Sequence, residues 1–394
     1  MKKKKILRIL NRFNVGGPLY NTAYLTKYID NEKYETLLIG GQWESHENDG
    51  TYILRSEEIN YKLITRMRRS ISIYNDIISL FQVILIIYKF KPDIIHTHAA
   101  KAGIIGRIAA LFYFRKVKLV HTYHGNVFEG YFSKSINLFI LNVERFLAKK
   151  TDKIIAISKL QKIDLAFKYH ICDINKIEVV RLGFDLYKFQ KNIRNKRKKI
   201  RSKYNIADEE ILIMIIGRVV PVKNHKFFID VFLKCKMDST KKIKAMVIGD
   251  GNLTNELVEY AKSKDLITNY KKILNRNFDI MFCSWIKNID YYLSASDINV
   301  LTSINEGTPV SIIESMANGT ASISTDVGGV SDIIQNNFSG IVSKSDIINF
   351  SEDLLNLIED DLFRKKLSLN GKKIIEKYSY KRLVKDVELL YDNL

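Results

Sequence analysis

The stretch INVLTSINEGTPVSIIESMANGTASIS (residues 298–324) contains a complete strand–helix–strand pattern. Its apolar ends, residues 298–301 and 321–324, are typical of strands, and residues 309–318 between them are typical of a helix that opens on a proline. Two strands joined through a helix run parallel and are connected by a right-handed crossover. The stretch therefore predicts an α/β fold with a parallel sheet covered by helices.

The same alternation extends from this stretch in both directions. Further strands are predicted at 5–10, 34–39, 93–97, 117–122, 153–157, 176–181, 211–216, 244–248, 280–282 and 340–342. Helices are predicted at 18–28, 70–90, 101–114, 134–150, 158–169, 222–235, 252–263, 287–295, 329–335, 346–359, 361–377 and 379–394. Because 394 residues exceed one ordinary core, we predict two doubly wound domains, with the lysine-rich residues 188–203 as the link or as the first helix of the second domain.

The composition excludes several protein classes. Apolar residues make up 46% of the chain, which excludes a disordered protein. The three cysteines, Cys172, Cys235 and Cys283, are scattered, so neither a disulfide scaffold nor a cysteine zinc site is expected. The apolar stretch after the first lysines is too short for a signal peptide, and the longest apolar run, 77–88, is too short to span a bilayer.

The net charge of +20 is unevenly distributed. Residues 1–190 contain 31 Lys and Arg against 17 Asp and Glu, whereas residues 206–394 contain 24 against 26. Codon bias would explain abundant lysine, but it does not explain why the excess stops near the middle. The basic half suggests anionic lipid, a phosphorylated substrate or nucleic acid as a partner. Nucleic acid is not expected, because no zinc-finger or RRM signature occurs.

Two loops between a predicted strand and a predicted helix could bind phosphate. In Asn14–Pro18, Gly16 and Gly17 would let an anion approach a helix N-terminus, although the loop could be only a tight turn. Arg218 and Lys223 follow the strand 211–216, at the strand end where α/β domains bind ligands. The alternative for these two residues is a pair of solvated surface cations.

Two glutamates stand out in the opening stretch. Glu306 lies in the loop after a strand, and Glu314 lies about two turns into the next helix, on its apolar side. A carboxylate there is costly unless hydroxyls or cations meet it, and carboxylates suit vicinal sugar hydroxyls. The alternative for Glu314 is a partly exposed helical residue. Backbone N–H groups at Gly307, Thr308 and Val310 could face an anion.

Four of the seven histidines, His96, His98, His121 and His124, lie within 29 positions. They follow two predicted adjacent parallel strands, so we expect them at one edge of the sheet. Their side chains could bind zinc, contact sugar hydroxyls, or be core histidines with backbone partners.

Together these motifs resemble those of the retaining glycosyltransferases of family 4, which have the GT-B fold. The most specific match is EGTPVSIIESMANG (306–319), followed by TDVGG (325–329). HTHAAKAGIIGR (96–107) and HTYHGNVFEGYFS (121–133) resemble the bacterial members that build capsule, O-antigen and other lipid-linked glycans. IGRVVPVKNH (216–225) and IGDGNL (248–253) also match, so the resemblance covers nearly the whole chain.

The resemblance implies two Rossmann-like domains that face a cleft. Residues 1–185 would form the acceptor-side domain and residues 186–378 the domain that binds the nucleotide sugar. A final helix, 379–394, would return to the first domain. The family works without a D-x-D metal motif, and none occurs here, so neither a metal nor a cofactor is expected.

The donor-binding residues that the resemblance implies are Gly16, Gly17, Arg218, Lys223, Ser284, Trp285, Ile286, Glu306, Gly307, Thr308, Pro309, Val310 and Glu314. In this family pattern Gly16 and Gly17 face the donor diphosphate, and Arg218 and Lys223 neutralise its charge. Ser284–Ile286 would line the base. However, Cys283–Ser284 replaces the usual pair of a small residue and glycine, and residues 265–279 are long and irregular for the family.

The remaining roles concern the sugars. Glu314 would hold the ribose and Glu306 the donor sugar. The acceptor-side residues implied are His98, Lys101, His124 and Asn126. The catalytic residues implied are His124, Arg218, Lys223 and Glu306, with His124 as a positioning group rather than a general base.

The function that the resemblance implies is transfer of a hexosyl or N-acetylhexosaminyl residue, with retention. The donor would be a UDP-sugar, with a GDP-sugar as the alternative. The acceptor would be a polyprenyl-diphosphate-linked saccharide, met by a peripheral enzyme on the cytoplasmic face of the bacterial inner membrane. A nucleotide-sugar epimerase similar to UDP-N-acetylglucosamine 2-epimerase is the alternative function, although it matches residues 306–319 poorly.

Overall fold

The protein is described here by a computed structural model that covers residues 2–44, 49–68, 70–125, 134–272 and 277–394. It divides into two compact units. The N-terminal unit comprises residues 1–184 and 378–394, and the C-terminal unit comprises residues 185–377.

The described residues of the N-terminal unit form a parallel sheet in the order β3-β2-β1-β4-β5-β6-β7. The strands are β1 (Lys4–Leu10), β2 (Tyr34–Gly41), β3 (Tyr61–Ile64), β4 (Ile94–His98), β5 (Lys118–Tyr123), β6 (Lys153–Ala156) and β7 (Ile177–Val179). The order reverses between β1 and β4, which pair directly. In a doubly wound sheet, ligands bind at such a reversal, outside the carboxyl ends of the strands.

Helices cover both faces of this sheet. They are α1 (Gly17–Tyr28), α2 (Thr51–Ser56), α3 (Ile73–Phe90), α4 (Ala100–Leu111), α5 (Lys134–Lys150) and α6 (Lys159–Ile163), which continues as a π-turn over Asp164–Lys168. Apolar side chains of β1, β2 and β4 pack on α3 and α4 to form one core. Each fully buried aliphatic side chain in such a core contributes about 2 kcal/mol.

The chain returns to the N-terminal unit in its last helix, α15 (Tyr380–Asp392). The Ser379 hydroxyl caps this helix by accepting from a backbone N–H, and its apolar face joins the core beneath β1, β4, β5 and β6. The Tyr34 hydroxyl also donates to Asp392 at 2.8 Å. The predicted return of the final helix is therefore confirmed.

The C-terminal unit contains a second parallel sheet, in the order β10-β11-β9-β8-β12-β13-β14. Its described strands are β8 (Ile211–Ile216), β9 (Ile243–Ile248), β10 (Thr268–Tyr270), β11 (Ile280–Cys283), β12 (Ile298–Leu301), β13 (Ala321–Thr325) and β14 (Ile341–Ser343). The central strand β8 is almost wholly buried because both of its faces meet apolar layers. Here the strand order reverses between β8 and β12.

The helices of the C-terminal unit begin with the lysine-rich segment, which forms α7 (Ile193–Tyr204). They continue with α8 (His225–Asp238), α9 (Thr254–Ser263), α10 (Ile289–Ala295), α11 (Val310–Asn318), α12 (Ile347–Glu359), α13 (Asp361–Gly371) and α14 (Ile374–Tyr378), whose last residue belongs to the N-terminal unit. Helix α11 ends at Gly319, which adopts a left-handed conformation. The predicted pair of doubly wound parallel sheets is thus confirmed.

Several sequence-based assignments differ from the structure. The helix predicted at 329–335 is wrong: the segment forms a single 3-10 turn, Gly328–Val330, because the glycine pair bends the chain and turns follow. The helix predicted at 361–377 divides into α13 and α14. The short elements α2, β3 and β10 were missed, since three to six residues carry little periodic signal.

Helix α3 extends the apolar run 77–88. Among the described helices, it is the one long and apolar enough to cross a membrane, judged by length and composition alone. It begins four residues before that run, where Ser72 caps it by accepting from the N–H of Asn75.

Candidate functional site

The predicted donor residues Lys223 and Glu306 lie together at the strand-order reversal of the C-terminal unit. Lys223 is on the loop after β8, and Glu306 is on the loop after β12. The Lys223 Nζ forms an ion pair with Glu306 Oε1, and the Ser303 hydroxyl donates to the same oxygen at 2.5 Å. Both charged side chains remain partly exposed. A substrate can therefore reach this pair from solvent.

Backbone contacts hold these two loops against each other. The N–H of Ile304 donates to the Val222 carbonyl at 2.8 Å. The Thr302 hydroxyl donates to the carbonyl oxygens of Lys223 and Asn224, at 3.0 and 3.1 Å. The position of the ion pair is thus set by the loop backbone as well as by the mutual attraction of its charges.

The glycine pair after β13 packs directly on the Glu306 loop. Gly328 has a φ of +52°, and a Cβ there would lie 1.8 Å from the Glu306 carbonyl oxygen. The N–H of Gly329 donates to that same oxygen at 3.2 Å. Any side chain at position 328 would displace the loop that carries Glu306, which explains why two glycines stand here.

Arg218 lies on the same loop as Lys223 and is exposed. It forms no ion pair with any residue in the described part of the chain. A nearby anion would therefore find a guanidinium with free donors, in contrast to the paired Lys223.

The loop after β9 completes this edge of the sheet. Gly249 has a φ of +138°, and a Cβ there would lie 1.9 Å from the Gly217 carbonyl oxygen. Asp250 accepts hydrogen bonds from Ser284 Oγ at 2.8 Å and from Thr254 Oγ1 at 3.0 Å. Burial alone would raise the pKa of Asp250, but these bonds and the N–H of Gly251 lower it.

The segment expected to line the base follows β11. Ser284, which replaces the usual glycine, directs its hydroxyl to Asp250. Trp285 is exposed, and Ile286 is half-buried against the core cluster that contains β8. The Trp285 indole is therefore the one large exposed side chain of residues 284–286.

Helix α11 begins beside Glu306 with no side chain capping its N-terminus, and Pro309 precedes it. Gly307 is exposed and Thr308 and Val310 are half-buried, so the predicted backbone donors lie at an accessible helix end. Such an end attracts anions.

Glu314 is the fifth residue of α11, just over one turn from its start, and is half-buried. Burial raises the pKa of its carboxyl to about 7, with Lys188 lowering it and Asp290 raising it further. Its carboxylate receives no hydrogen bond from residues in the described ranges. A hydroxyl-bearing ligand would supply the partners that the ionised form lacks.

The glycine loop of the N-terminal unit lies at its own strand-order reversal. Gly16 precedes α1 with no side-chain cap, and Pro18 stands in the first turn. A Cβ at Gly16 would meet only Pro18 Cδ, at 3.9 Å, so the space around it is open. The geometry leaves room for an anion at this helix N-terminus.

Three of the four clustered histidines are brought together as predicted from the order of their strands. His96 and His98 stack with ring centroids 4.1 Å apart, and His98 Nδ1 lies 3.1 Å from His124 Nε2. His121 differs: its side chain lies on the other face of the sheet, against Gly103 of α4, and its Nδ1 bonds Thr97 Oγ1 at 2.8 Å. Burial lowers the pKa of His96, His98 and His121 well below 6.5, and that of His124 to about 4. All four rings are therefore neutral at physiological pH.

The orientation of the His96 ring is set by two hydrogen bonds. Its Nδ1 lies 2.6 Å from the Tyr391 hydroxyl of α15, and its Nε2 lies 2.7 Å from Thr122 Oγ1 of β5. Arg8 is fully buried nearby, where its guanidinium donates to Thr26 Oγ1 at 3.4 Å and its charge disfavours protonation of His96.

The other two acceptor-side candidates are Lys101 and Asn126, and neither is shown to be part of the histidine cluster. The Lys101 ammonium pairs with Asp76 Oδ1 at 2.6 Å and donates to the Ser70 carbonyl at 2.5 Å, so its charge is already compensated. Asn126 lies outside the described residues. Within the described ranges, no group of three or more His, Cys, Asp or Glu side chains is arranged to hold a metal ion.

Another surface depression of the C-terminal unit, of about 840 Å³, lies beside α7 and is lined by Arg197 and Arg201. Both arginines already pair with Asp297, at 2.9 and 3.1 Å. This depression contains none of the predicted site residues.

Three residues of these clusters were missed by sequence reasoning. Ser303 and Tyr391 carry no sequence signal, because a serine in a loop and a tyrosine on an amphipathic helix are common. Arg8 did carry one: it interrupts the apolar strand KKILRIL (4–10).

Comparison with protein families matches both units. The model for glycosyl transferases group 1 matches residues 196–374, and the model for glycosyltransferase family 4 matches residues 15–188.

Two bacterial relatives align over most of their length. The UDP-Gal:alpha-D-GlcNAc-diphosphoundecaprenol alpha-1,3-galactosyltransferase of Escherichia coli is 30% identical over 325 residues, which cover 82% of this chain and 81% of that protein. The capsular polysaccharide biosynthesis glycosyltransferase CapM of Staphylococcus aureus is 28% identical over 337 residues, 83% of each chain.

Solved structures share the fold over the whole chain. Anabaena Alr3699/HepE in complex with UDP superposes with a TM-score of 0.78 at 19% identity, covering 99% of this chain and 100% of that one. A glycosyltransferase from Rickettsia africae ESF-5 gives 0.78 at 20% identity, covering 100% and 99%. These similarities confirm the predicted GT-B fold.

Proposed function

Since this chain belongs to the group 1 and family 4 glycosyltransferases, we propose that it transfers a hexosyl or N-acetylhexosaminyl residue from a UDP-sugar to a lipid-linked saccharide, with retention at the anomeric carbon. The proposed pathway is the synthesis of a cell-surface polysaccharide.

The observation that carries the proposal is the cluster at the β8–β12 reversal. Lys223, Glu306 and the uncapped N-terminus of α11 lie together, and Arg218, on the same loop as Lys223, has free donors. Cations and helix N–H groups suit a diphosphate, and a carboxylate suits sugar hydroxyls. One site thus offers both halves of what a nucleotide sugar requires.

The choice of UDP is supported by the comparisons. The Anabaena protein has been solved with UDP-glucose as well as with UDP, and the name of the E. coli relative specifies UDP-Gal. In the proposal Glu314 binds the ribose hydroxyls, Trp285 lies beside the base, and Gly16 and Gly17 approach the diphosphate.

The choice of acceptor is supported by the names of the relatives. The E. coli enzyme acts on a diphosphoundecaprenol-linked sugar, and CapM functions in capsule biosynthesis. In the proposal His98 and the neutral His124 contact sugar hydroxyls, and Asn126 and Lys101 border the acceptor.

Catalysis would depend mainly on electrostatic stabilisation of the departing diphosphate by Arg218, Lys223 and the α11 N-terminus. Lys223 would then divide its charge between Glu306 and the phosphate. A donor phosphate oxygen accepts the acceptor's proton, so no protein nucleophile is needed. The neutral His124 positions hydroxyls and supplies no acid at neutral pH.

The proposed location is the cytoplasmic face of the bacterial inner membrane. A lipid-linked acceptor stays in the bilayer, so the enzyme must reach it there. The 31 basic against 17 acidic residues in positions 1–190 favour an anionic leaflet as the partner, and each cation near the surface contributes about 1 kcal/mol.

The test is a donor panel with the full chain. UDP-galactose, UDP-glucose, UDP-N-acetylglucosamine and GDP-mannose are each incubated with a polyprenyl-diphosphate-linked sugar, with and without EDTA. We expect one UDP-sugar to extend the lipid, with an unchanged anomeric configuration by NMR and no loss of activity in EDTA. Interconversion of the donor without an acceptor would identify an epimerase instead, and loss in EDTA that zinc or magnesium restores would establish a metal requirement.

A further inference from the structure

Helix α3 exposes a continuous apolar face. The exposed apolar side chains of this helix are Ile73, Tyr74, Ile77, Phe81, Leu85 and Tyr88. At 100° per residue these positions fall within an arc of about 120°, so they form one stripe along the helix. The stripe runs almost the full length of α3.

The opposite face of α3 is also apolar, but it is covered. Leu80, Val83, Ile84 and Ile87 pack against the core that contains β1 and β4. A helix that is apolar all round is normally surrounded by protein or by lipid. Here protein covers one side and water faces the other, which marks the exposed stripe as a surface for a partner.

The stripe continues beyond the end of α3. Phe112 and Phe114 follow α4, and both are exposed, Phe114 to 90%. The Tyr88 hydroxyl donates to the Phe112 carbonyl at 2.7 Å, and the Tyr88 ring packs edge-on against Tyr113. These contacts attach the phenylalanines to the C-terminal end of the stripe. We call the α3 stripe with Phe112 and Phe114 the α3 surface.

Basic residues border this surface. Arg66 and Arg68 lie at one end, and the Arg66 guanidinium bonds Asn75 Oδ1 of α3 at 3.3 Å. Exposed cations also stand at the other end: Lys89, Lys91, Arg115 and Lys116. The one acidic residue of α3, Asp76, is paired with Lys101.

We propose that the α3 surface inserts into the interface of an anionic membrane, with the helix axis parallel to the bilayer and the bordering cations at the lipid headgroups. Apolar and aromatic side chains framed by Lys and Arg are typical of interfacial helices. Helix α3 does not cross the bilayer, because its other face belongs to the core. This proposal rests on the proposed function and extends it. There, basic charge alone attracts the enzyme to the membrane, whereas here apolar side chains also insert into it.

A second copy of this chain fits the surface less well. A symmetric contact through this face would bring two sets of the same bordering cations together. An anionic bilayer instead supplies opposite charge at the border and hydrocarbon at the centre. Charge complementarity therefore favours lipid.

The proposal is tested by flotation of the full chain with vesicles of phosphatidylcholine alone or mixed with phosphatidylglycerol, at low and high salt. The variant Phe81→Ser/Leu85→Ser removes two side chains that are 62% and 69% exposed. The matched control, Met237→Ser/Leu362→Ser, removes two that are 78% and 81% exposed on the C-terminal unit. Arg66→Gln/Arg68→Gln tests the border.

We expect wild type and control to bind mixed vesicles equally and to retain much of that binding at high salt. The affinity of Phe81→Ser/Leu85→Ser for mixed vesicles should be at least about tenfold lower than that of wild type, whereas its UDP affinity and melting temperature should be unchanged. Arg66→Gln/Arg68→Gln should lose binding mainly at low salt. Equal binding by Phe81→Ser/Leu85→Ser and wild type would overturn the proposal, as would a wild-type dimer that this variant makes monomeric without changing lipid binding.

The same variant separates this proposal from the proposed function. With an acceptor on a short, water-soluble lipid, Phe81→Ser/Leu85→Ser should transfer sugar at the wild-type rate, whereas with acceptor in vesicles it should be slow. Wild-type protein that floats but transfers no sugar to either acceptor would refute the proposed function and leave the surface supported.

Discussion

The two units place different chemistry at equivalent positions of similar sheets. At the strand-order reversal of the N-terminal unit stand three neutral imidazoles: His96 is hydrogen-bonded to two hydroxyls, and His98 and His124 are hydrogen-bonded to each other. At the corresponding reversal of the C-terminal unit stand an ion pair, an exposed arginine and an uncapped helix end. A shared architecture thus supports a neutral cluster in one unit and a charged one in the other.

The difference follows from burial. The histidines lie beneath the surface beside the charged Arg8, so their protonated forms are disfavoured. Lys223 and Glu306 keep contact with solvent and form an ion pair with each other. Neutral imidazoles can form hydrogen bonds with hydroxyls. Cations can bind phosphates, whether they are unpaired, as Arg218 is, or paired with a carboxylate, as Lys223 is. The comparison therefore predicts that donor binding and leaving-group stabilisation belong to the C-terminal unit.

The largest effect is expected for Lys223→Ala. Loss of one cation from a site that stabilises developing charge lowers kcat by about 10²–10³-fold. Steady-state transfer assays would measure this, with the melting temperature showing that the fold persists. Lys226→Ala is the matched control, since Lys226 is an exposed lysine three residues away that lies over the Tyr260 ring. Near-normal turnover of Lys223→Ala would remove the basis for assigning the charged cluster to catalysis.

Glu314→Ala should weaken UDP binding by about 1.5–3 kcal/mol, because the ribose hydroxyls would lose a charged acceptor. Calorimetry on the folded variant measures the change. His124→Ala serves as the comparison: it should leave UDP affinity unchanged, since the histidines belong to the other cluster. An unaltered dissociation constant for Glu314→Ala would contradict the ribose assignment.

The pH dependence of UDP binding should come from Glu314. Its pKa of about 7 lies above the ordinary value of 4.5, so the carboxylate forms as pH rises through 7. Hydroxyls bind the carboxylate better, so UDP affinity should fall as pH drops from 8 to 6, by up to about tenfold per pH unit below the pKa. The terminal phosphate of UDP itself titrates with a pKa of about 6, so Glu314→Gln should lose the Glu314 contribution and keep only the weaker pH dependence of the ligand.

The histidines should not contribute to that profile, because the pKa of His124, about 4, lies below this range. If the pH dependence survived in Glu314→Gln and disappeared in His124→Gln, the group that controls UDP affinity would be a histidine of the N-terminal unit and not Glu314 of the C-terminal unit.

The smallest effect is expected from the hydroxyl of Tyr391. Tyr391→Phe and Tyr34→Phe each remove one hydrogen bond between α15 and the rest of the N-terminal unit, at a cost of about 1 kcal/mol in unfolding free energy. Only Tyr391→Phe should change the ¹⁵N shifts of the His96 ring, because the Tyr391 hydroxyl is hydrogen-bonded to that ring and the Tyr34 hydroxyl is not. Identical histidine spectra in the two variants would refute the Tyr391–His96 hydrogen bond.

Much of the fold was predictable from periodicity. Long strands such as Ile211–Ile216 were recovered at their true ends, because a central strand buried on both faces reads as a continuous apolar run. Short edge strands such as Thr268–Tyr270 were not predicted, because three residues are too few to show a periodic pattern of apolar side chains. The turn at Gly328–Val330 was mistaken for a helix, since a local apolar pattern does not reveal that the glycine must pack on Glu306.

The candidate site was partly predictable for a similar reason. Lys223 and Glu306 follow β8 and β12, and parallel strands deliver their carboxyl ends to one edge. Their ion pair and the support from Ser303 were not predictable, because these depend on how two loops separated by about eighty residues meet.

The sequence by itself determined the family, the two parallel α/β units and the residue types at the strand ends, because these follow from local periodicity and contiguous motifs. Only the tertiary structure decided which charges are paired, which histidines are neutral, and which side of α3 faces water. Burial, pKa and exposure depend on distant segments that pack around each side chain, and α3 is apolar on both sides in sequence but covered on only one.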